Sequence, residues 1–382
     1  MKIVKIETFH IQPRWLFLRM ETDDGFVGWG EPVVEGRAQT TQACIGELSE
    51  YLLGQDARQI SYIWEMLYRG GFYRSGPILT SALSGIDQAL WDIKGKYFDV
   101  PVYELLGGKV RDKVEVYSWI YGDTPGKAAK AALQKKKTGF HTVKMLGPGP
   151  LSWMPDHAQI SQFLEKVQAV RDAVGPDFGI AIDFHGRPHK AEALVLLKEL
   201  EPLHPLFVEE PVLVDNEDTF PKLKAQTSIP FATGERVYTR WGFRKLLQDG
   251  GVDIIQPDLC HAGGISEVFR IASTAETYDV AVAPHCPLGP IALASCLQID
   301  FSCINSQLQE QSLGMDYNKG FEMPDYLENP EIFQYDKGYV NALTKPGLGV
   351  EVNEEIIRKN QVPDLHWKNP VFLQKDGSIT EW

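Results

Sequence analysis

From about Val114 onward, short apolar runs alternate along the chain with longer amphipathic stretches. Stretches such as Ile160–Val174 and Ile265–Tyr278 place apolar residues at helical spacing, whereas the short runs have the length of buried strands. Strands that alternate with helices in this way form βα units and pair in parallel. The predicted strands are Val114–Trp119, Thr142–Leu146, Ile180–Phe184, Leu206–Val208, Phe231–Thr233, Asp253–Gln256, Val280–Ala283 and Phe301–Ile304.

Eight such units in unbroken succession favour a closed α/β barrel. An open, doubly wound parallel sheet is the alternative, because it is built from the same βα units. Polar residues at the strand ends, described below, favour the barrel, since its active sites lie at the carboxyl ends of the strands.

The regions on either side of the barrel lack this alternation. Near the amino terminus, Ile3–Phe9 and Leu16–Thr22 are predicted strands, and Leu79–Tyr97 has the spacing of a buried helix. Strands followed by helices indicate an α+β domain. We therefore predict a first domain over residues 1–113, a barrel over residues 114–317, and a segment, 318–382, that packs back onto the first domain.

Composition excludes several classes of protein. The 382 residues contain 38 Lys and Arg against 51 Asp and Glu, a net charge of −13, which argues against a nucleic-acid partner. The amino terminus has no signal-peptide core, and no apolar run is long enough to span a membrane. Five cysteines, an odd number without a Cys-x-x-Cys pair, favour reduced thiols and a cytoplasmic location.

Carboxylates recur at the same position, the end of the strand, in three successive βα units. Asp183, Glu209 and Glu235 lie at or just beyond the ends of predicted strands, and both intervals, 183→209 and 209→235, are 26 residues. In a barrel, neighbouring strands would bring the three side chains together at its mouth. Three oxygen ligands without sulfur favour Mg²⁺, which leaves coordination positions for a substrate. A single such carboxylate is more often a helix cap or a salt-bridge partner.

Two histidines are predicted to share this pocket. His285 ends the seventh strand beside Asp258 of the sixth, and a carboxylate that accepts one imidazole N–H raises the basicity of the other nitrogen. His185 lies two residues beyond Asp183, which on a strand would be the same face. Glu310 lies just past the predicted eighth strand. A base, an acid and a cation suit β-elimination next to a carboxylate.

At these residues the chain resembles the enolase superfamily, and within it the galactonate dehydratases, an acid-sugar dehydratase group of the mandelate racemase branch. The resemblance covers nearly the whole chain, and it implies a modified (β/α)7β TIM-like barrel under an α+β capping domain formed by both termini. The similar segments are Arg14-Trp15, Trp29-Gly30-Glu31-Pro32, Phe72-Tyr73-Arg74, Gly85-Ile86-Asp87-Gln88-Ala89-Leu90-Trp91-Asp92, Asp183-Phe184-His185-Gly186 and Ala283-Pro284-His285-Cys286-Pro287-Leu288-Gly289-Pro290.

The resemblance also implies roles and a reaction. Asp183, Glu209 and Glu235 would bind Mg²⁺; His285, assisted by Asp258, would take the C2 proton of D-galactonate, and His185 would protonate the departing 3-hydroxyl. Glu310 would hydrogen-bond the substrate carboxylate, and the product would be 2-dehydro-3-deoxy-D-galactonate. Lysine-base chemistry is disfavoured, because the second strand reads Lys144-Met145-Leu146 and not Lys-x-Lys. Leu146 stands where the resemblance predicts a polar residue.

The identity of the sugar acid stays open at this point. Dehydratases of mannonate, gluconate or a pentonate would share the metal ligands and the histidines. Glu31, Arg37 and Lys144 are candidate substrate contacts, although each is equally consistent with a structural role. Lys144 also permits a Schiff-base aldolase, and a non-catalytic barrel is a further alternative. The family resemblance favours a homo-oligomer acting on a small acid, with no nucleic acid or membrane as partner.

Overall fold

The computed structural model describes residues 1–318 and 320–382. The chain begins with an antiparallel sheet of three strands in the order β1-β2-β3, on which one long helix, α3, packs. Gly30 permits this close approach, because a Cβ there would collide with the carbonyl oxygen of Gly85 in α3. The elements are β1 (Ile3–Ile11), β2 (Trp15–Thr22), β3 (Val27–Gly30), α1 (Ala38–Leu52), α2 (Ile60–Gly70), α3 (Pro77–Phe98) and α4 (Val102–Leu105).

Eight parallel strands form the second part of the molecule. Their order is β10-β9-β8-β7-β6-β5-β4-β11, and a parallel bridge between Val282 and Ser306 joins the two ends of this series into a closed barrel. The strands are β4 (Lys113–Ile120), β5 (Thr142–Leu146), β6 (Gly179–Asp183), β7 (Phe207–Glu209), β8 (Phe231–Thr233), β9 (Ile254–Ile255), β10 (Ala281–Val282) and β11 (Leu308–Glu310).

Helices cover the outside of the barrel, and one further strand extends it. The helices are α5 (Pro125–Lys137), α6 (His157–Val174), α7 (Lys190–Leu200), α8 (Phe220–Lys224), α9 (Thr239–Asp249), α10 (Gly264–Glu276) and α11 (Pro290–Ser302). A strand β12 (Tyr339–Asn341) then pairs antiparallel with β4, and α12 (Glu354–Asn360) follows. The predicted barrel is confirmed, and the doubly wound sheet is excluded because the strands close on themselves.

The predicted eighth strand was wrong. Phe301 and Ser302 end α11, and the strand that closes the barrel is Leu308–Glu310. The error has a physical cause: α11 is buried along nearly its whole length, from Pro290 to Phe301, so its apolar sequence resembles that of a buried strand. Glu310 is consequently the last residue of β11, and does not lie beyond a strand as predicted.

The interior of the barrel explains where the polar side chains must point. Ala181, Phe207 and Ala232 form a small apolar cluster that fills the barrel below its mouth, with Ile254 and Leu308 packed against it. Strand residues two apart share a face, so Asp183 and Glu209, two residues beyond Ala181 and Phe207, also point inward. The fold therefore places these carboxylates on an apolar floor at the carboxyl ends of the strands.

The segment after β12 returns to the first sheet before it reaches the barrel. Gln361 forms an antiparallel bridge with Ile11, and the amide of Val362 donates to the carbonyl of His10. Ahead of β12, the hydroxyl of Tyr326 also contacts this part of the molecule, where it donates to the carbonyl of Gln12. The division at residues 113 and 317 stays a prediction, and residue 319 of the third segment lies outside the described residues. Within the described residues, we find no helix with the length and apolar character that crossing a membrane requires.

Candidate active site

Three carboxylates form a compact group at the mouth of the barrel. Asp183 ends β6, Glu209 ends β7, and Glu235 follows β8, and each contributes an oxygen within 4.8 Å of the other two. Asp183 and Glu209 are buried, and Glu209 Oε1 accepts no hydrogen bond from the described residues. A buried, unpartnered carboxylate oxygen is costly unless a cation satisfies it, so this donor set fits a hard divalent ion.

Lys144 lies against the same carboxylates. Its Nζ is fully buried, 2.6 Å from Glu209 Oε2 and 3.2 Å from both Asp183 Oδ2 and Glu310 Oε1. Burial alone would lower the pKa of Lys144, but the charges of Glu209 and Glu310 outweigh it and raise the pKa well above its ordinary value. Lys144 is therefore a protonated partner of the acidic cluster. It does not line the cavity described below, so its predicted contact with a substrate stays a prediction.

His285 lies between two carboxylates. Its Nδ1 is 2.8 Å from Asp258 Oδ2, and its Nε2 is 3.0 Å from Glu235 Oε2. Burial would lower the pKa of His285, but Glu235, Glu310 and the hydrogen bond to Asp258 raise it well above its ordinary value. The structure thus brings together the histidine and the aspartate that the sequence paired.

His185 lies on the other side of the carboxylate group. Its Nε2 is 3.2 Å from Asp183 Oδ2, and its backbone N–H donates to Asp183 Oδ1 at 2.8 Å. It reaches the pocket by a different route from the one predicted, because β6 ends at Asp183 and His185 adopts a left-handed conformation with φ 51°. Burial lowers the pKa of His185, and the nearby carboxylates of Asp183 and Glu235 offset only part of this effect.

Glu310 connects several of these groups. Its Oε1 accepts a hydrogen bond from Trp119 Nε1 at 2.6 Å and from Lys144 Nζ at 3.2 Å, and its Oε2 accepts one from the amide of Cys286 at 2.9 Å. It is fully buried and its Oε2 lies 4.0 Å from His285 Nε2. Glu310 therefore fixes Lys144 and the start of the His285 loop relative to one another.

A cavity of about 80 Å³ opens beside the two histidines. Besides barrel residues, it is lined by two charged side chains of the first domain, Arg14 and Glu35, which form an ion pair. Burial lowers the pKa of Arg14 to about 10, although nearby acidic groups oppose the change. The lining residues are Arg14, Glu35, Trp119, Tyr121, Leu146, His185, Glu235, His285, Pro287, Met315, Tyr317 and Trp382.

Glu31 and Arg37 do not line this cavity, so their predicted contact with a substrate stays a prediction. Glu31 is fully buried, and its two oxygens accept hydrogen bonds from the amides of Gly289 and Ala292 at the start of α11. Arg37 lines a separate cleft of about 150 Å³. Both residues follow the second hairpin, but the residue of that loop which lines the cavity is Glu35.

Sequence reasoning missed several cavity residues. Arg14 had one signal, because an arginine between two apolar strands is unusual unless its charge is paired. Tyr121 follows β4 directly and shares the strand-end position of the predicted site residues. Glu35, Tyr317 and Trp382 lie in segments whose course over the barrel has no periodic signal in the sequence.

Comparison with known proteins identifies the family. The family "Mandelate racemase / muconate lactonizing enzyme, N-terminal domain" matches residues 3–107, and "Enolase C-terminal domain-like" matches residues 127–356. This chain belongs to the enolase superfamily. Its relatives in the superfamily include the D-galactonate dehydratases of Pectobacterium atrosepticum, 53% identical, and Cronobacter sakazakii, 50% identical, in both cases over 100% of each chain.

Solved structures of the superfamily have the same fold. An enolase from Agrobacterium radiobacter with bound Na and L-malate has a TM-score of 0.92 and 33% identity, covering 100% of both chains. A member of the superfamily from Salmonella Typhimurium has a TM-score of 0.84 and 30% identity, covering 94% of this chain and 98% of that one. The carboxylates and both histidines fall within the second matched domain, whereas Trp382 lies beyond it.

Proposed function

We propose that this protein is a hydro-lyase that removes the C2 proton and the 3-hydroxyl of D-galactonate to give 2-dehydro-3-deoxy-D-galactonate. The observation that carries the proposal is the placement of two histidines at one carboxylate group: His285 contacts Glu235 at 3.0 Å, and His185 contacts Asp183 at 3.2 Å. Full-length relatives at 53% and 50% identity are D-galactonate dehydratases, which supports this substrate.

Asp183, Glu209 and Glu235 are the residues that would hold Mg²⁺. When bound, the ion would stabilise the negative charge that develops on the substrate carboxylate after C2 is deprotonated. Oxygen donors alone, with Glu209 Oε1 lacking a partner among the residues that the structure describes, fit Mg²⁺ better than zinc. Lys144 would offset part of the charge of the acidic cluster from within the protein.

Proton transfers would be divided between the histidines. Asp258 accepts the Nδ1–H of His285, so the C2 proton would be taken by Nε2, the ring nitrogen that faces Glu235. His185 would then donate a proton from Nε2 to the 3-hydroxyl, and the electron pair left at C2 would form the C2=C3 bond as the C3–O bond breaks and water leaves. The resulting enol would take a proton at C3 and become the 2-keto acid. Glu310 would hydrogen-bond the substrate carboxylate, which requires one proton to be shared between the two carboxyl groups. Membership of the enolase superfamily supports this role of Glu310.

A screen of aldonic acids with Mg²⁺, read out as keto-acid formation, tests this function. We expect turnover of D-galactonate, loss of activity with a chelator, and recovery with Mg²⁺. His185→Asn should abolish dehydration but retain exchange of the C2 proton with solvent deuterium, whereas His285→Asn should abolish both. Equal loss of exchange in the two variants would contradict the division of roles, and turnover of another acid alone would overturn the substrate.

One observation favours a second candidate, the dehydration of another aldonic acid such as mannonate, gluconate or a pentonate. Leu146 lines the cavity, so an apolar side chain stands where a substrate hydroxyl would otherwise find a polar partner. A Schiff-base aldolase built on Lys144 is disfavoured, because a raised pKa keeps this buried amine protonated and unable to attack a carbonyl. The same aldonic-acid screen separates the two dehydratase candidates.

Self-association of the protein and a cytoplasmic location belong to the same proposal. Phe72 and Tyr73, in the loop between α2 and α3, are 90% and 84% exposed, and an exposed pair of large aromatic side chains is typical of an interaction surface. Replacing both with serine should lower the mass measured by light scattering if this surface joins copies of the chain. All five cysteines are buried and free, which fits a reducing compartment.

A further inference from the structure

The segment 366–382 covers the barrel mouth but has few ties to the molecule beneath it. It folds into a small hairpin: the amide of Gln374 donates to Ser378, that of Thr380 donates to Phe372, and Leu373 bridges Ile379. Within the described part of the chain, every hydrogen bond of this hairpin segment is made to another of its own residues. Such a segment can open without breaking a hydrogen bond to the barrel.

Aromatic contacts hold the hairpin segment in place. The guanidinium of Arg187, in the loop after β6, lies 5.3 Å from the ring centre of Phe372 and 6.0 Å from that of Trp382. Near the start of the segment, the guanidinium of Arg14 from the first domain lies 5.8 Å from the ring centre of Trp367. These contacts are individually weak, so they define a closed position without locking it.

Trp382, the last residue of the sequence, lies against the catalytic acid. Its ring meets that of His185 edge to face, with centroids 5.3 Å apart and an interplanar angle of 86°. On the barrel side, the ring of Trp119 lies nearly parallel to His185 at 6.3 Å. The Nδ1 atom of His185 has no hydrogen-bond partner among the described residues, unlike Nδ1 of His285, which Asp258 holds. Ring packing, and not a hydrogen bond through Nδ1, therefore orients His185.

The closed hairpin segment also restricts the space for a substrate. The cavity that Trp382 helps to line measures about 80 Å³. Sites for small ligands commonly measure about 300 Å³ or more, so a six-carbon acid needs a larger opening than this conformation gives. Among the lining residues, Trp382 is the one whose segment makes no hydrogen bond to the described residues of the barrel, so it is the lining side chain most easily displaced.

We propose that Trp382 is a positioning residue of this active site, which packs against His185 to set its direction, and that the segment 366–382 opens to admit the substrate and closes over it. The inference deepens the proposed dehydration and rests on it for the role of His185. It assigns a function to a part of the chain that lies outside both matched family domains.

Kinetics of three variants test the positioning role. Trp382→Ala should lower kcat/KM for dehydration of D-galactonate roughly tenfold to hundredfold, because a misdirected acid fails to protonate the leaving hydroxyl. Exchange of the C2 proton, which depends on His285, should change far less, and Trp382→Phe should restore most of the dehydration. Trp153→Ala is the matched control, since Trp153 is 78% exposed in a neighbouring loop and stacks on His189 outside the cavity.

Two kinetic results would overturn the inference. One is dehydration by Trp382→Ala at the rate of Trp153→Ala. The other is an equal loss of exchange and dehydration in Trp382→Ala, which would mean that Trp382 supports the site in general and not His185. A circular dichroism melt of each variant ensures that the comparison is made between folded proteins.

Hydrogen–deuterium exchange of the whole protein tests the opening without relying on turnover. Without ligand, peptides from 366–382 should exchange much faster than peptides from the barrel strands, and Mg²⁺ with D-galactonate should slow them in His285→Asn, which binds without turnover. Protection of the segment equal to that of the strands would overturn the proposed opening. If the wild-type protein turns over no aldonic acid, the proposed function fails, while the ligand-free exchange still decides whether the segment opens.

Discussion

Asp258→Asn is the substitution that most directly probes His285, the proposed catalytic base. Asp258 is 1% exposed, and its Oδ2 accepts the Nδ1–H of His285 at 2.8 Å, while its Oδ1 accepts the amide N–H of Cys260 at 2.5 Å. In the variant, the backbone N–H of Cys260 would still donate to the side-chain oxygen at position 258. The side-chain NH2 group at that position would therefore face His285. Two donors cannot share one hydrogen bond, and His285 must move its proton from Nδ1 to Nε2.

The expected magnitude follows from these contacts. Losing a buried hydrogen bond to a charged group costs about 1.5–3 kcal/mol, or roughly 10- to 150-fold in rate. The wrong tautomer adds to this, because Nε2 then carries a proton and cannot accept one from C2. Together we expect kcat to fall roughly 10³- to 10⁴-fold, as when a buried aspartate that orients a catalytic histidine is replaced by asparagine. KM should change little, since Asp258 does not line the cavity.

Steady-state kinetics with D-galactonate and C2 proton exchange measured by NMR form the assay, and both activities should fall together. His261→Asn is the matched control: His261 Nε2 lies 3.7 Å from the same Oδ2 of Asp258, beyond hydrogen-bond distance. We expect this control to retain activity within about threefold of wild type. The reasoning is refuted if Asp258→Asn keeps more than about a tenth of the wild-type rate, or if both variants lose activity equally.

Three other predictions test the metal, the pH dependence and the packing. Glu235→Gln should weaken Mg²⁺ binding at least about tenfold to hundredfold in a calorimetric titration, and unchanged affinity would exclude it as a ligand. Burial raises the pKa of Asp300 to about 7, so wild-type stability should fall as pH rises from 4 toward 7. Urea unfolding at several pH values measures how the free energy of unfolding changes with pH. Asp300→Asn should reduce this change by up to roughly 1.4 kcal/mol per pH unit, and the same pH dependence in variant and wild type would contradict the prediction. Gly30→Ala should destabilise by about 1–3 kcal/mol through its collision with α3, whereas Gly46→Ala, with open space around it in α1, should be neutral or stabilising.

The barrel and the clustering of the candidate site residues could be predicted because both follow from local periodicity. One βα unit separates Asp183 from Glu209 and Glu209 from Glu235, and parallel strands bring such positions to the same end. His285 and Asp258 are found by the same argument on neighbouring strands. The eighth strand failed because periodicity cannot distinguish a fully buried helix from a buried strand, and α11 is such a helix.

The walls of the cavity could not be predicted in this way. Arg14 and Glu35 come from the first domain, and Trp382 comes from the other end of the chain, nearly two hundred residues from His185. Their contacts depend on how a loop and an irregular segment cross the barrel mouth, and no repeating pattern encodes that path. Glu31 shows the consequence: it lies four residues from Glu35, yet it is bound to the start of α11 and lies outside the cavity.

The residues that periodicity predicts are those on which the proposed reaction depends. The residues that no pattern predicts are those that would recognise the substrate. Lys144 and Leu146 lie on the same face of β5, two residues apart, but Lys144 points into the acidic cluster and Leu146 lines the cavity above it. The residue at the lower level belongs to the charged cluster of Asp183, Glu209 and Glu310. The residue at the upper level lines the space in which the proposal places the rest of the substrate, together with Tyr121, Met315 and Trp382. Replacing Leu146 with asparagine should therefore change the preference among aldonic acids, measured as ratios of kcat/KM, while C2 exchange continues with every acid that binds. Loss of exchange with all acids would show instead that the two levels are not independent.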